Sequence, residues 1–188
     1  ISSPPSLSPR AWHHRGMDHR ALLTDAASRP LDAARQVLDG LAPDSLHAMP
    51  EGRGNSIAWL VWHAARQADV QLAALHGGAE AWAAGWADRT GIDRGEGDFG
   101  FGDGVAEVAA LRVADPDALL GYVAAVADAI TVYVGSLAAT DLDDVVDTNW
   151  TPHVTRGVRL ISIIDDAVAH LGQAAYVRGL VDGWSIGY

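Results

Sequence analysis

The sequence predicts an all-α fold, and specifically a four-helix bundle, from three observations. Alanine and leucine, which favour helix, are abundant, whereas isoleucine and the aromatic residues that favour strands are sparse. Apolar residues recur at helical spacing in four long segments. Residues that commonly cap helices stand at the ends of these segments. Four helices joined by two long connectors fit a bundle better than an α/β fold.

Boundary signals mark each of the four segments. The first begins near Asp18, and Pro30 is expected to kink or split it, because an interior proline lacks a backbone N–H donor. The second begins at the cap residues Asn55–Ser56 and ends before Gly77–Gly78. The third begins at Asp115–Pro116, a cap followed by proline at the first helical position. The expected ranges are Asp18–Leu41, Asn55–His76, Asp115–Ala139 and Thr155–Val181.

A long irregular connector, Gly77–Asp115, separates the second helix from the third. Its early part, Ala79–Ala87, is expected to form a short helix, and its later part, Asp93–Gly104, is a glycine-rich acidic loop. Within this loop Gly95–Gly100 matches G-x-G-x-x-G, but no strand precedes it and its carboxylates would repel phosphate. We therefore exclude a dinucleotide-binding motif. We expect the loop to act instead as a mobile lid, with its two phenylalanines as apolar anchors.

The net charge of −11 argues against nucleic acid as a partner, because phosphate binding requires clustered lysine and arginine. We also expect no membrane partner, since anionic surfaces repel the chain and no apolar run approaches the ~20 residues of a membrane span. Cysteine is absent, so the chain has no thiol of its own. Residues 1–16 lack the apolar segment of a secretory signal. We expect a leader there, non-native or upstream of a start at Met17, followed by a single domain over residues 17–188 in the cytoplasm.

The strongest chemical pattern is Asp166-x-x-x-His170 in the fourth segment. Residues four apart lie on one face of a helix, one turn apart, so both side chains can reach one ion. Apolar residues flank the pair, and burying a carboxylate and an imidazole among them without partners would cost several kcal/mol. An ion pair on a solvated helix face is the alternative interpretation, and spacing alone favours it.

His63 lies in the middle of the second segment, where Trp59 and Trp62 make the preceding turn apolar. Taken alone, it is best explained as a core histidine that forms a hydrogen bond. If the second and fourth helices face each other, however, His63, Asp166 and His170 form a set of two histidines and one carboxylate. Three protein ligands leave open coordination positions, which is typical of catalytic rather than structural metal sites.

Two motifs resemble the DinB-like superfamily of metal-binding four-helix bundles: Asn-Ser-x-x-Trp-Leu-x-x-His at Asn55–His63 and Asp-x-x-x-His-x-Gly-Gln at Asp166–Gln173. The resemblance implies a metal triad with one ligand on the second helix and two on the fourth, which here are His63, Asp166 and His170. The usual triad is three histidines. A carboxylate at the middle position is similar to the glutamate of the mycothiol-dependent maleylpyruvate isomerase branch. Zn²⁺ is the expected metal, with Ni²⁺ or Fe²⁺ as alternatives.

The same resemblance implies a low-molecular-weight thiol of the mycothiol type as co-substrate and an electrophilic small molecule as substrate. The expected activity is that of a metal-dependent thiol S-transferase or a thiol-dependent isomerase, because a bound dication lowers the pKa of a coordinated thiol. Two alternatives stay open. One is a metal-dependent hydrolase, and the other is a non-catalytic bundle that binds a small ligand or forms a homodimer.

Four further residues are candidates for supporting roles. Gln67 and Gln173 stand close to the histidines in sequence and could orient a ligand or a metal-bound water. His153, in the connector before the fourth helix, could act as a general base, although an exposed loop histidine is the simpler interpretation. Arg159 lies seven residues before Asp166 and could bind an anionic group of the cofactor or substrate, or pair with a nearby acid.

Overall fold

The computed structural model describes residues 16–185, and four long helices dominate this part of the chain. The helices are α1 (His19–Leu38), α2 (Pro43–Leu46), α3 (Ile57–His76), α4 (Trp86–Thr90), α5 (Val105–Ala110), α6 (Pro116–Ser136) and α7 (Arg156–Asp182). The long ones, α1, α3, α6 and α7, correspond to the four helices predicted from the sequence. Residues 1–15 of the expected leader lie outside the described residues, so that expectation stays a prediction.

The capping residues read from the sequence begin and end these helices. At each start a side-chain oxygen accepts hydrogen bonds from backbone N–H groups of the first turn. The four capping residues are Asp18, Ser56, Asp115 and Thr155. Both α3 and α7 end at glycines in the left-handed region, Gly77 with φ of +68° and Gly183 with φ of +72°. Helix α1 continues through the buried Pro30 without being split, because core packing of the ring offsets the lost backbone hydrogen bond.

The four long helices pack as a four-sided bundle, which confirms the predicted fold class. Helix α3 packs against α6 and α7, and α1 packs against the same two helices on the opposite side. The α3 and α7 helices run antiparallel, since Gln67 contacts Ile163 while Gln71, one turn later, contacts Arg159, one turn earlier. Fully buried side chains of these two helices include Trp62, Leu160 and Ile163. This interface is the part of the fold that holds the candidate site.

Helix α6 corrects one expectation about the sequence. By length and composition this helix, Pro116–Ser136, is long and apolar enough to cross a bilayer, with a mean hydropathy of 1.7. It packs against both α1 and α3, and it places Leu119, Tyr122 and Val134 in the core. The core helix of a soluble protein meets the same criteria, and 39% of this apolar window is buried inside the bundle.

The connectors are more ordered than the sequence indicates. The predicted helix over 79–87 is divided by Gly85 into a 3-10 turn, Ala81–Ala84, and helix α4. Helix α5 was not predicted, because it spans only six residues. A two-stranded antiparallel hairpin, β1 (Val145–Asp147) and β2 (Val154–Thr155), also went unpredicted and lies directly before α7. Strands of two or three residues carry no usable alternation in sequence.

Candidate metal centre

His63 lies in the middle of α3 with two aromatic rings close to its imidazole. The Trp59 indole stacks on it at 4.5 Å between ring centroids and an interplanar angle of 9°. The Phe99 ring lies 6.2 Å away. The His63 Nδ1–H donates a hydrogen bond to the carbonyl oxygen of Phe99. Because a carbonyl oxygen only accepts, the bond assigns the proton to Nδ1 and leaves Nε2 with a free lone pair.

Asp166 and His170 lie one turn apart on α7 and face His63 across the helix interface. His170 Nε2 is 3.5 Å from Asp166 Oδ1. His170 Nδ1 donates to Gln173 Oε1 at 3.2 Å, as the spacing of these two residues predicts. The imidazole of His170 stands perpendicular to that of His63, with ring centroids 4.5 Å apart. In both histidines Nδ1 therefore donates a hydrogen bond to a protein acceptor, and Nε2 is free to bind a metal.

The structure brings together the three residues that the sequence proposed as metal ligands. One ligand atom from each of His63, Asp166 and His170 lies within 4.8 Å of the other two. Ligands bonded at about 2.1 Å to one tetrahedral ion lie about 3.4 Å apart, and the Asp166–His170 pair already has that spacing. Two imidazoles and a carboxylate are also a donor set that Zn²⁺, Ni²⁺ and Fe²⁺ accept. The residues fit a divalent metal, and this group can hold one.

Burial divides the site into an inner side and an outer side. His63 is only 8% exposed, whereas the side chain of Asp166 is 44% exposed and that of His170 is 18% exposed. Burial lowers the pKa of His63 below its ordinary value because an imidazolium loses solvation there, and the nearby His170 acts in the same direction. His63 is consequently neutral near pH 7, which is the form that binds metal. The centre is therefore more open to solvent on the Asp166 side.

The glycine-rich loop covers the inner side and is fixed by a side chain of the bundle and by an ion pair within the loop. Trp59 Nε1 donates to Asp103 Oδ2 at 2.8 Å, and Arg94 forms an ion pair with the same carboxylate at 2.8 Å. Of the two phenylalanines expected to anchor the loop, Phe99 lies against His63. Phe101 is 87% exposed, and its ring lies 5.9 Å from that of Phe99 rather than in the core. Trp59, Phe99 and Asp103 are thus site residues that the sequence analysis did not identify, although Trp59 stands one turn before His63.

The remaining candidates lie apart from the three ligands. Gln67 is buried and donates to the carbonyl oxygens of Ala64 and Ile163, so its hydrogen bonds tie α3 to α7. His153 is exposed and contributes no atom to the ligand group. Their proposed roles at the metal stay predictions.

Arg159 lies two turns before Asp166 at the edge of a separate cavity. Its guanidinium donates to Gln71 at 3.0 Å and pairs with Asp147 at 2.8 Å. The cavity has a volume of about 440 Å³ between α3, the hairpin and the start of α7. Arg156 and Asn149 also line it. The alternative of pairing with a nearby acid is confirmed for Arg159, and the cavity leaves room for a ligand beside it.

Comparison with known proteins assigns the family. Residues 27–174 match the sequence profile of the DinB superfamily. The chain belongs to the DinB superfamily. A solved structure described as the conserved protein of a locus from Enterococcus faecalis has 34% sequence identity and a TM-score of 0.82. That match covers 90% of this chain and 100% of the other, whose description names no activity. No curated protein matches the sequence.

Proposed function

We propose that this DinB-superfamily protein is a divalent-metal-dependent enzyme that uses a low-molecular-weight thiol as co-substrate. His63, Asp166 and His170 hold the ion, with Zn²⁺ as the first candidate and Ni²⁺ or Fe²⁺ as alternatives. One observation supports this proposal above the others. In both imidazoles Nδ1 donates a hydrogen bond to a protein acceptor, and Nε2 stays free beside a single carboxylate. That arrangement is typical of metal-ligating histidines.

The chemistry follows from the ligand count and from the walls of the site. When bound, a dication lowers the pKa of a coordinated thiol or water and so supplies a nucleophile near neutral pH. Three protein donors leave coordination positions open to a small molecule. The Trp59 and Phe99 rings make the inner wall apolar, which strengthens electrostatic effects at the centre. The chain contains no cysteine, so the reacting thiol comes with the co-substrate.

The proposed reaction is S-transfer to an electrophilic carbon or a thiol-dependent isomerisation. In the transfer, a C–S bond forms, the leaving group departs with its electron pair, and the thiol proton passes to a base. His153, the exposed histidine in the connector before α7, is the candidate base. In the isomerisation the same C–S bond forms and later breaks, which regenerates the thiol.

Arg159 is the candidate contact for an anionic group of the co-substrate or substrate. Its cavity adjoins Gln71, eight residues after His63 on α3, which corresponds to about 12 Å along the helix. A molecule with a thiol at one end and polar groups at the other could span that distance. The Arg159→Met variant should then raise KM for the thiol while the metal content stays unchanged. An unchanged KM would remove Arg159 from the proposal.

Metal analysis of tag-free protein is the first test. Wild-type protein is expected to retain about one equivalent of metal, and the His63→Ala variant is expected to lose it. Asp166→Asn, compared with Asp165→Asn, provides a matched pair, because the neighbouring aspartate is exposed and lies outside the ligand group. Asp166→Asn should weaken metal binding and Asp165→Asn should not. Equal metal content in His63→Ala and wild type would contradict the proposal.

A conjugation assay tests the thiol step. Loss of mycothiol in the presence of an electrophilic test substrate, dependent on both protein and metal, is the expected result. Metal-dependent hydrolysis of an ester or amide without any thiol requirement would favour the hydrolase instead. Metal binding with neither reaction would favour a non-catalytic bundle. A cytoplasmic location and a homodimer belong to the same proposal, and cell fractionation and light scattering test them.

A further inference from the structure

Arg66, one turn after His63 on α3, is a fully buried charge. Its side chain is 0% exposed. The guanidinium donates to Asp69 at 3.2 Å, to the Tyr122 hydroxyl at 3.1 Å and to Glu80 at 2.8 Å. A buried arginine with this many partners is held in one position, because each lost hydrogen bond would leave a buried charge less satisfied. Arg66 is therefore a rigid point inside the bundle.

A fourth N–H group of Arg66 reaches the loop that covers the metal centre. Arg66 Nε donates to the carbonyl oxygen of Asp98 at 3.0 Å. The next carbonyl along the chain, that of Phe99, accepts the hydrogen bond from His63 Nδ1. Two successive carbonyls of the loop thus bind two side chains that lie one turn apart on α3. The position of one carbonyl constrains the position of the other, because only the φ and ψ angles of Phe99 separate the two peptide planes.

Glu80 binds a third residue of this loop and, together with Arg66, forms a clamp on it. Its carboxylate accepts from the Gly97 backbone N–H at 3.0 and 3.1 Å while it pairs with Arg66. Residues 97, 98 and 99 therefore bind to Glu80, Arg66 and His63 in turn. A lysine could not replace Arg66 here, because its single ammonium lacks the fork that serves a carboxylate, a hydroxyl and a carbonyl together.

We propose that Arg66, together with Glu80, is a positioning residue for His63. By holding loop residues 97–98 against α3, the pair keeps the Phe99 carbonyl on His63 Nδ1. That hydrogen bond fixes the tautomer and the ring orientation that present Nε2 to the ion. The tautomer part of this inference concerns the metal-free protein alone, and only its consequence for metal affinity rests on the proposed function.

The first experiment measures the tautomer of His63 in metal-free protein. Two-bond ¹H–¹⁵N correlation spectra distinguish a protonated ring nitrogen from a bare one. Wild type should show the Nδ1–H form at a pH where the ring is neutral. The Arg66→Lys and Glu80→Ala variants should show a mixture with the Nε2–H form. Glu107→Ala is the matched control, because Glu107 also accepts a loop N–H, that of Gly104 at 3.0 Å, but does not contact residues 97–99.

The second experiment measures Zn²⁺ affinity by competition with a chromophoric chelator. Arg66→Lys and Glu80→Ala should bind Zn²⁺ about 10-fold more weakly than wild type, and Glu107→Ala should bind it equally well. If Arg66→Lys fails to fold, Glu80→Ala decides, since this carboxylate lies near the surface, with its side chain 13% exposed. Circular dichroism establishes that each variant retains its helix content.

The outcomes separate this inference from the proposed function. An unchanged Nδ1–H tautomer in both variants would overturn the positioning role even if wild type binds Zn²⁺. A changed tautomer with no Zn²⁺ binding by wild type would support the positioning role and contradict the proposed function. A changed tautomer with unchanged Zn²⁺ affinity would overturn the link between the clamp and the metal.

Discussion

Replacing Gly100 by alanine should destabilise the protein clearly more than the same replacement at Gly102. Both glycines lie in the covering loop with positive φ, +79° and +85°, so the backbone strain of an added Cβ is similar. They differ in their surroundings. A Cβ at Gly100 would lie 2.9 Å from Cζ3 of Trp62, whereas a Cβ at Gly102 would have no atom within 4 Å. Comparing the two variants therefore separates the destabilisation caused by close packing from that caused by backbone strain.

The magnitudes follow from these two contributions. An alanine held in the left-handed region is disfavoured by about 1–2 kcal/mol, which applies to both variants. Overpacking a tight site adds about 1–3 kcal/mol, and this applies only to Gly100. Trp62 cannot move aside easily, because it is fully buried. Gly100→Ala should thus lower the free energy of unfolding by about 2–5 kcal/mol, against about 1–2 kcal/mol for Gly102→Ala.

Urea unfolding followed by tryptophan fluorescence measures both values. The Gly100→Ala variant should also bind Zn²⁺ more weakly, since Gly100 directly follows the residue whose carbonyl binds His63. The Gly102→Ala variant should retain wild-type affinity. Equal destabilisation by the two replacements would show that the loop does not pack on Trp62 as described, and the account of the inner wall would fail with it.

Three further predictions concern stability. His47 Nε2 accepts from the Val113 N–H at 3.0 Å, and burial, aided by a nearby arginine, holds the pKa of His47 below its ordinary 6.5. The neutral form of His47 therefore contributes stability that is fully present above pH 6.5 and is lost as the pH falls below it. Urea midpoints of the His47→Gln variant should depend less on pH than those of wild type. Identical pH dependence of the two proteins would contradict this prediction. Asp69→Ala removes a buried partner of Arg66 and should lower the free energy of unfolding by about 3–5 kcal/mol. Asp25→Ala breaks an exposed ion pair and should lower it by less than about 1 kcal/mol in the same urea titration. Similar losses of stability in the two variants would be evidence against the buried network. Zn²⁺ at about 100 times its Kd should raise the free energy of unfolding by about 2.7 kcal/mol, and a chelator should reverse this increase. Thermal unfolding scans with the same midpoint in the presence and absence of Zn²⁺ would argue against a metal site.

The long helices could be predicted because their signals are local. Capping residues act within one turn, and apolar spacing repeats along twenty or more residues, so Ser56 and Thr155 mark helix starts without any knowledge of the fold. The connectors could not be predicted in the same way. Helix α5 and the hairpin before α7 are too short to show a period, and their order comes from packing against the bundle.

The candidate metal centre likewise has features that the sequence predicts and features that only packing decides. Sequence spacing alone placed Asp166 and His170 on one helical face, and the motif around His63 supplied the third ligand. Only the tertiary structure shows that His63 Nδ1 binds the Phe99 carbonyl and that Arg66 binds the preceding carbonyl, that of Asp98. Every residue has a backbone carbonyl, so no side-chain pattern identifies the one that a folded loop brings to an imidazole. Side-chain chemistry is encoded residue by residue, whereas backbone contacts between distant segments exist only once the chain has packed.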